Sequence, residues 1–145
     1  MNTIHNIVRG ICIKNEKILL AYFKKGGYYF LPGGHIENGE SMLHSLKREF
    51  REEMNIHIKP IELLKIFEHT WTNKNKRHHE INFIFSIELS KEYAIRSQVA
   101  HLEFQWVPLK KIKKINFLPK EVIKIITDNK RKKRGCFVTT FKHRK

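Results

Sequence analysis

Three glutamates, Glu49, Glu52 and Glu53, fall at i, i+3 and i+4 within KREFREEM. On a helix those positions share one face. Three carboxylates on one turn repel each other in water, and a hard divalent cation, which takes oxygen ligands, relieves the repulsion. A cation held there would suit a phosphate-bearing substrate, whose charge it neutralises. The competing reading is a solvated helix face, with Arg48 and Arg51 simply pairing with the glutamates. The residues around the cluster decide between the two.

A cluster of this kind needs a helix with a start, an end and a buried side. Asn38-Gly39-Glu40-Ser41 is a turn cluster, and Ser41 is an N-cap candidate, so the helix is predicted from about Ser41 to Met54. Leu43, Leu46, Phe50 and Met54 recur at the spacing of a buried stripe. Asn55, just beyond, tolerates the positive φ that ends a helix. Ahead of the helix, Leu31-Pro32-Gly33-Gly34 reads as a fixed loop whose backbone can approach another group closely.

Strands are predicted on both sides. Residues 6–14 and 17–23 read as a β-hairpin turning at Asn15-Glu16, and residues 28–31 as a short strand leading into the glycine loop. Residues 56–70 are mostly extended, with Pro60 as an interruption, and residues 71–78 read as a loop or hairpin tip. Residues 80–89, EINFIFSIEL, form the strongest strand in the chain, apolar enough to be buried on both faces. Residues 102–107 are a further strand closed by Pro108. Residues 109–115 form a short helix, residues 119–129 a helix opened by Pro119, and residues 135–141 a last strand. Strands flanked by helices in this order predict an α/β fold, an α/β/α sandwich with a mixed sheet between helices. Phe83, Phe85 and Trp106 are expected in its core.

The 23-residue window from Gly34 to Ile56 resembles the Nudix box, G-x5-E-x7-R-E-U-x-E-E-x-G-U with U a bulky aliphatic residue. Gly34, Glu40, Arg48, Glu49, Glu52, Glu53 and Ile56 match it. Phe50 stands where an aliphatic residue is usual, and Asn55 replaces the closing glycine. The resemblance implies the Nudix fold and a metal-dependent hydrolase, using Mg²⁺ or Mn²⁺, in which water attacks a diphosphate linkage of a nucleotide. Carried over by position, Glu52 and Glu53 would be direct metal ligands, Glu49 a further ligand or the general base, and the Gly33 carbonyl an extra ligand. Glu40 and Arg48 would stand behind them, the arginine orienting the carboxylates. The family often adds one more carboxylate from beyond the box. Glu103 is the candidate and Glu80 its rival.

Substrate choice is expected outside the box. Tyr28, Arg77 and Glu80 are the candidates for substrate contact: an aromatic can stack on a base, and a cation can hold a phosphate. Nothing in the sequence identifies the group attached to the nucleotide.

Composition bounds these readings. The chain has 145 residues, enough for a single domain with a real core. No stretch is long enough to span a bilayer, and Met1 to His5 lacks the pattern of a signal peptide. Two cysteines, Cys12 and Cys136, point to free thiols in a reducing compartment, so the cytoplasm is expected. No Cys/His spacing reads as zinc-binding, and His78-His79-Glu80 is not a helical HExxH. The net charge of +15 is uneven: residues 1–109 carry 15 Lys+Arg against 12 Asp+Glu, and residues 110–145 carry 14 against 2. The densest run is Lys130 to Arg134, within a basic C-terminal segment of about residues 130–145. RNA is therefore a second candidate partner beside a nucleotide, making an RNA 5′-end pyrophosphohydrolase the rival activity. A non-catalytic nucleotide-binding module of the same fold is the other rival, and a homodimer is left open.

Overall fold

Residues 17–23, KILLAYF, send alternate side chains to opposite sides of a sheet. Leu19 and Ala21 join one core, and Ile18 and Leu20 join another. Residues 8–11 and 84–87 divide likewise, with Val8, Phe85 and Ile87 on the first side and Ile11 and Ile84 on the second. Each core needs a cover, and one helix covers each.

In the computed structural model, which describes residues 3–128 and 137–140, the strands are β1 (Ile4–Ile11), β2 (Ile13–Lys14), β3 (Lys17–Phe23), β4 (Tyr28–Phe30) and β5 (Gly33–His35), followed by helix α1 (Met42–Met54). Then come β6 (Ile58–Asn73), β7 (Lys76–Leu89), β8 (Leu102–Pro108), a 3-10 turn at Leu109–Lys111, α2 (Val122–Thr127) and β9 (Phe137–Thr139). The larger sheet has the order β5-β1-β7-β6-β9 and is mixed: β1 runs parallel to β7, and β6 parallel to β9. The smaller sheet is antiparallel, with β2, β4 and β8 all pairing β3. Leu46, Phe50 and Met54 of α1 cover the first core, and Val122 and Ile126 of α2 cover the second. This is the expected α/β/α sandwich.

The helix carrying the glutamates begins and ends as its sequence predicts. The Ser41 hydroxyl accepts from the His44 N–H at 3.2 Å, and Asn55 adopts φ 53° and ψ 41°, its N–H donating to the Arg51 carbonyl. Phe50 fits because Gly10 lies beneath its ring: a Cβ on Gly10 would come within 2.8 Å of Phe50 Cζ. The stripe is shorter than predicted, since Leu43 is 47% exposed. The buried position in that turn is Ser45, whose hydroxyl donates to the His35 carbonyl at 3.1 Å, tying the helix to the glycine loop.

Other differences have local causes. Only Ile13 and Lys14 form the predicted hairpin with β3, because β1 leaves for the other sheet at Cys12. Residues 71–78 hold the hairpin tip, one of the two readings the sequence offered, with strand on both sides of it. The hairpin β6–β7 runs to its tip at Lys74 and Asn75, whose φ values of 45° and 62° close a two-residue turn. Pro60, which has no N–H to give the ladder, stands at a register shift before Glu62. The helix expected over residues 119–129 is the six-residue α2, and that over residues 109–115 is only the 3-10 turn. Phe85 is buried, and Phe83 and Trp106 pack against the first core. Cys12 is a buried free thiol. Cys136 and the run from Lys130 to Arg134 lie outside the described residues.

Candidate active site

The glycine loop and α1 face each other across a gap that only glycine permits. Gly33 has φ 139°, and a Cβ there would lie 1.9 Å from the Val8 carbonyl oxygen. A Cβ on Gly34 would lie 2.3 Å from the Glu49 carboxyl carbon, so the bare backbone makes room for that carboxylate.

Behind the gap, Arg48 gathers the acidic groups. Its Nε and Nη2 donate to the two oxygens of Glu40 at 2.7 and 3.0 Å, a bidentate pair. Its Nη1 donates to Glu49 at 2.9 Å and to Glu52 at 3.1 Å, and Nη2 also reaches the His35 carbonyl at 3.0 Å. The bonds from Arg48 hold the Glu40 carboxyl well below the ordinary range, at about 2. The same bonds push the Arg48 guanidinium upward.

Glu53 is different in kind. Burial raises its carboxyl to about 8, with Glu49 and then Glu52 adding to the rise and Arg9 opposing it. Its Oε2 is buried without a hydrogen-bond partner. Glu49, Glu53, Gly33 and Gly34 line one cavity of about 320 Å³, together with Arg9, Tyr28 and Phe30. An orphaned carboxylate oxygen beside a second carboxylate and a glycine backbone is a donor set suited to a hard divalent cation. Among the described residues no three acidic, imidazole or thiol groups converge as a ready-made metal centre. Glu52 is instead turned to Arg48, with its side chain 59% exposed.

The small cavity adjoins a larger cleft of about 880 Å³, with Arg9, Phe23, Tyr28 and Phe30 lining both. The cleft runs between the β6–β7 hairpin and the segment from Phe117 to Val122, and Trp71, His69, Glu80 and Asn82 line its hairpin side. There the Trp71 Nε1 donates to Glu80 Oε1 at 3.0 Å, and His69 Nε2 meets Glu80 Oε2 at 3.0 Å. Burial raises the Glu80 carboxyl, but those two bonds and the charge of Arg9 outweigh it and leave it at about 2. Trp71 is 40% exposed and stacks on His78 at 4.1 Å between ring centroids.

The fold therefore brings Gly33, Glu49, Glu53 and Tyr28 into one cavity, sets Glu40 and Arg48 behind it, and places Glu80 in the adjoining cleft. Besides Glu52, which Arg48 holds outside both cavities, it leaves two candidates apart. Glu103 is exposed on β8, accepts from Gln105 Nε2 at 3.2 Å, and lines neither cavity. Its register partner is Tyr22 of β3, and its neighbour Leu102 points into the small cavity in its place. Arg77 sits exposed near the hairpin tip opposite Thr72, outside both cavities. Arg9, which the sequence reading passed over, lines both. The available signal was a lone cation inside the apolar strand NIVRGIC.

The sandwich is the fold of several solved hydrolase structures. A NUDIX hydrolase from Nitrosomonas europaea superposes with a TM-score of 0.73 over 87% of this chain and 88% of that one, at 23% identity. A MutT protein from Bacillus halodurans gives 0.67 over 83% and 79%, also at 23% identity. Residues 4–126 match the NUDIX domain family profile. The chain belongs to the NUDIX family and is a Nudix hydrolase. It is similar to an 8-oxo-dGTP diphosphatase of Buchnera aphidicola subsp. Schizaphis graminum, 28% identical over 116 residues that span 77% of this chain and 83% of that protein. It is also similar to an ADP-ribose pyrophosphatase of Methanocaldococcus jannaschii, 33% identical over 85 residues, 57% of this chain and 49% of that one. No helix among the described residues is long and apolar enough to cross a membrane.

Proposed function

We propose that the protein hydrolyses the diphosphate linkage of a nucleoside di- or triphosphate or a nucleotide-linked substrate, with Mg²⁺ or Mn²⁺ as cofactor. The observation that supports this is the junction of the two cavities, which sets two carboxylates and a glycine backbone beside an aromatic cleft large enough for a nucleoside. Glu53 and Glu49, with the Gly33 carbonyl, are the groups that would hold the cation, and Glu52 would join by turning from Arg48. When bound, such a cation neutralises phosphate charge and lowers the pKa of bound water. Glu49 would serve either as a ligand of that cation or as the group that takes a proton from the attacking water; Arg48 fixes its carboxylate and the bare backbone of Gly34 leaves it room. Glu40 clamps Arg48 and thereby the carboxylate set. Tyr28 and Phe30 at the junction, and Trp71 at the cleft, seat the nucleoside.

The relatives named above act on different nucleotides, so the substrate is assigned only as a class. The test is phosphate or pyrophosphate release, with Mg²⁺ and then Mn²⁺, across 8-oxo-dGTP and ordinary nucleoside triphosphates, ADP-ribose, UDP-linked compounds, dinucleoside polyphosphates and 5′-triphosphorylated RNA. Turnover on one class that falls by about 100-fold or more in Glu53→Gln supports the reading. Turnover confined to RNA would transfer it to the 5′-end pyrophosphohydrolase. Nucleotide binding with no turnover under either cation would leave only the binding module. The RNA arm should replace Lys130 to Arg134 with neutral residues and keep the chain at full length. Deleting residues 130–145 would also remove β9, which pairs β6 at Ile66–Glu68.

A further inference from the structure

Arg9 sits in β1 between the buried Val8 and Gly10, where a guanidinium is costly to desolvate. Burial lowers its pKa, and Glu80, Glu53 and Glu49 act against that from a distance; as a guanidinium it stays charged. Arg9 is half-buried, and a charge so withdrawn from water commonly finds an opposite charge in contact. Arg9 finds neutral acceptors: Nη1 donates to the Leu31 carbonyl at 3.1 Å and to the Gly33 carbonyl at 3.3 Å, and Nε to Asn82 Oδ1 at 3.4 Å. The described residues place no carboxylate within 4.0 Å of it. The Phe30 ring lies 5.3 Å from its central carbon, within cation–π range. This cation lines both the carboxylate cavity and the aromatic cleft.

We propose that Arg9 binds the phosphate that joins the nucleoside to the scissile linkage, and does so without a metal. Position selects that phosphate: a nucleotide with its nucleoside in the cleft and its far phosphates at Glu49 and Glu53 must pass its innermost phosphate across the shared wall. Geometry supports it as well. The fork is preorganised by two loop carbonyls and an aromatic face, so little side-chain freedom is lost when an anion arrives. The same bond to the Gly33 carbonyl couples the phosphate site to the glycine loop. This inference rests on the nucleotide-hydrolase reading above.

The experiment measures binding to the full-length protein in EDTA, by intrinsic tryptophan fluorescence and by calorimetry, with AMP and GMP against adenosine and guanosine. Wild type should bind each monophosphate at least about 10-fold more tightly than its nucleoside, as for a charge-assisted hydrogen bond. R9Q should bring that ratio close to one while leaving nucleoside affinity within about threefold. R9K, which keeps the charge but loses the fork, should give an intermediate ratio and serves if R9Q does not fold. In turnover R9Q should raise KM more than it lowers kcat. A monophosphate-to-nucleoside ratio unchanged in R9Q, or an R9K ratio equal to wild type, overturns the assignment of Arg9 alone. Equal loss of nucleotide and nucleoside binding in R9Q would mark Arg9 as structural and also overturn it. Wild-type protein that binds neither monophosphates nor nucleosides would overturn this inference together with the nucleotide reading.

Discussion

Replacing Glu53 by glutamine should stabilise the metal-free protein while removing its activity. In the folded chain the Glu53 carboxyl is raised to about 8 from an ordinary value near 4.5, first by burial and then by Glu49. Below pH 4.5 the folded and unfolded chains both carry the proton, and the site costs nothing. As pH rises above 4.5 the unfolded chain releases that proton and the folded chain keeps it, so stability falls with pH until about 8. At pH 7 the accumulated cost is about 3 kcal/mol. Glutamine is always neutral and bears none of it. In EDTA the variant should therefore melt higher than wild type by about 9 °C at pH 7, at about 3 °C per kcal/mol for a chain of this size. The difference should vanish near pH 4.5. With Glu53 as the proposed ligand, saturating Mg²⁺ should narrow the gap at pH 7, because the cation would stabilise wild type more than the variant. Thermal unfolding followed by circular dichroism from pH 4.5 to 8 reads this out. A difference that does not change with pH, or a variant less stable throughout, would refute the account of Glu53 as a strained carboxylate awaiting a cation.

Three further outcomes follow from the geometry. Gly34→Ala should displace the Glu49 carboxylate, which a Cβ would approach to 2.3 Å; turnover should fall by about 100-fold with little change in far-ultraviolet circular dichroism, and near wild-type kcat would show that Glu49 does not need that gap. Arg48→Lys should lose the bidentate grip on Glu40 and lower activity by about 10- to 100-fold, measured on whichever substrate class turns over; full activity would mean that the carboxylates orient themselves. Glu80, held at about 2 despite its burial, stabilises the fold above pH 4.5, and that contribution is lost as pH falls from 4.5 to 2. Glu80→Gln should therefore be less stable than wild type by about 3 kcal/mol at pH 7 and nearly equal to it at pH 2, with equal denaturant midpoints at pH 7 as the contrary result.

The chemistry of α1 was legible in one dimension because a helix is a local structure. Spacing alone puts Glu49, Glu52 and Glu53 on one face, and Ser41 and Asn55 mark the ends. The layers were legible for a related reason: the near-continuous apolar run along residues 80–89 states that both faces of that strand are buried, and Phe85 and Ile87 join one core while Ile84 joins the other. Sequence did not reveal which strand each one would pair. Residues 6–11 look like the first half of a hairpin, yet β1 pairs with β7, more than 70 residues away, in parallel. Strand partners are chosen by long-range packing, which periodicity does not encode.

The same division runs through the site. The sequence by itself determined the glutamate helix, its glycine loop and the family to which the chain belongs, because each depends on residues close together along the chain. Only the tertiary structure decided which of these groups share a cavity. A strand directs successive side chains to opposite faces, so on β8 the register with β3 turned Leu102 into the cavity and Glu103 outward. On β1 the crossing between β5 and β7 carried Arg9, an isolated cation in an apolar run, to the wall shared by the two cavities.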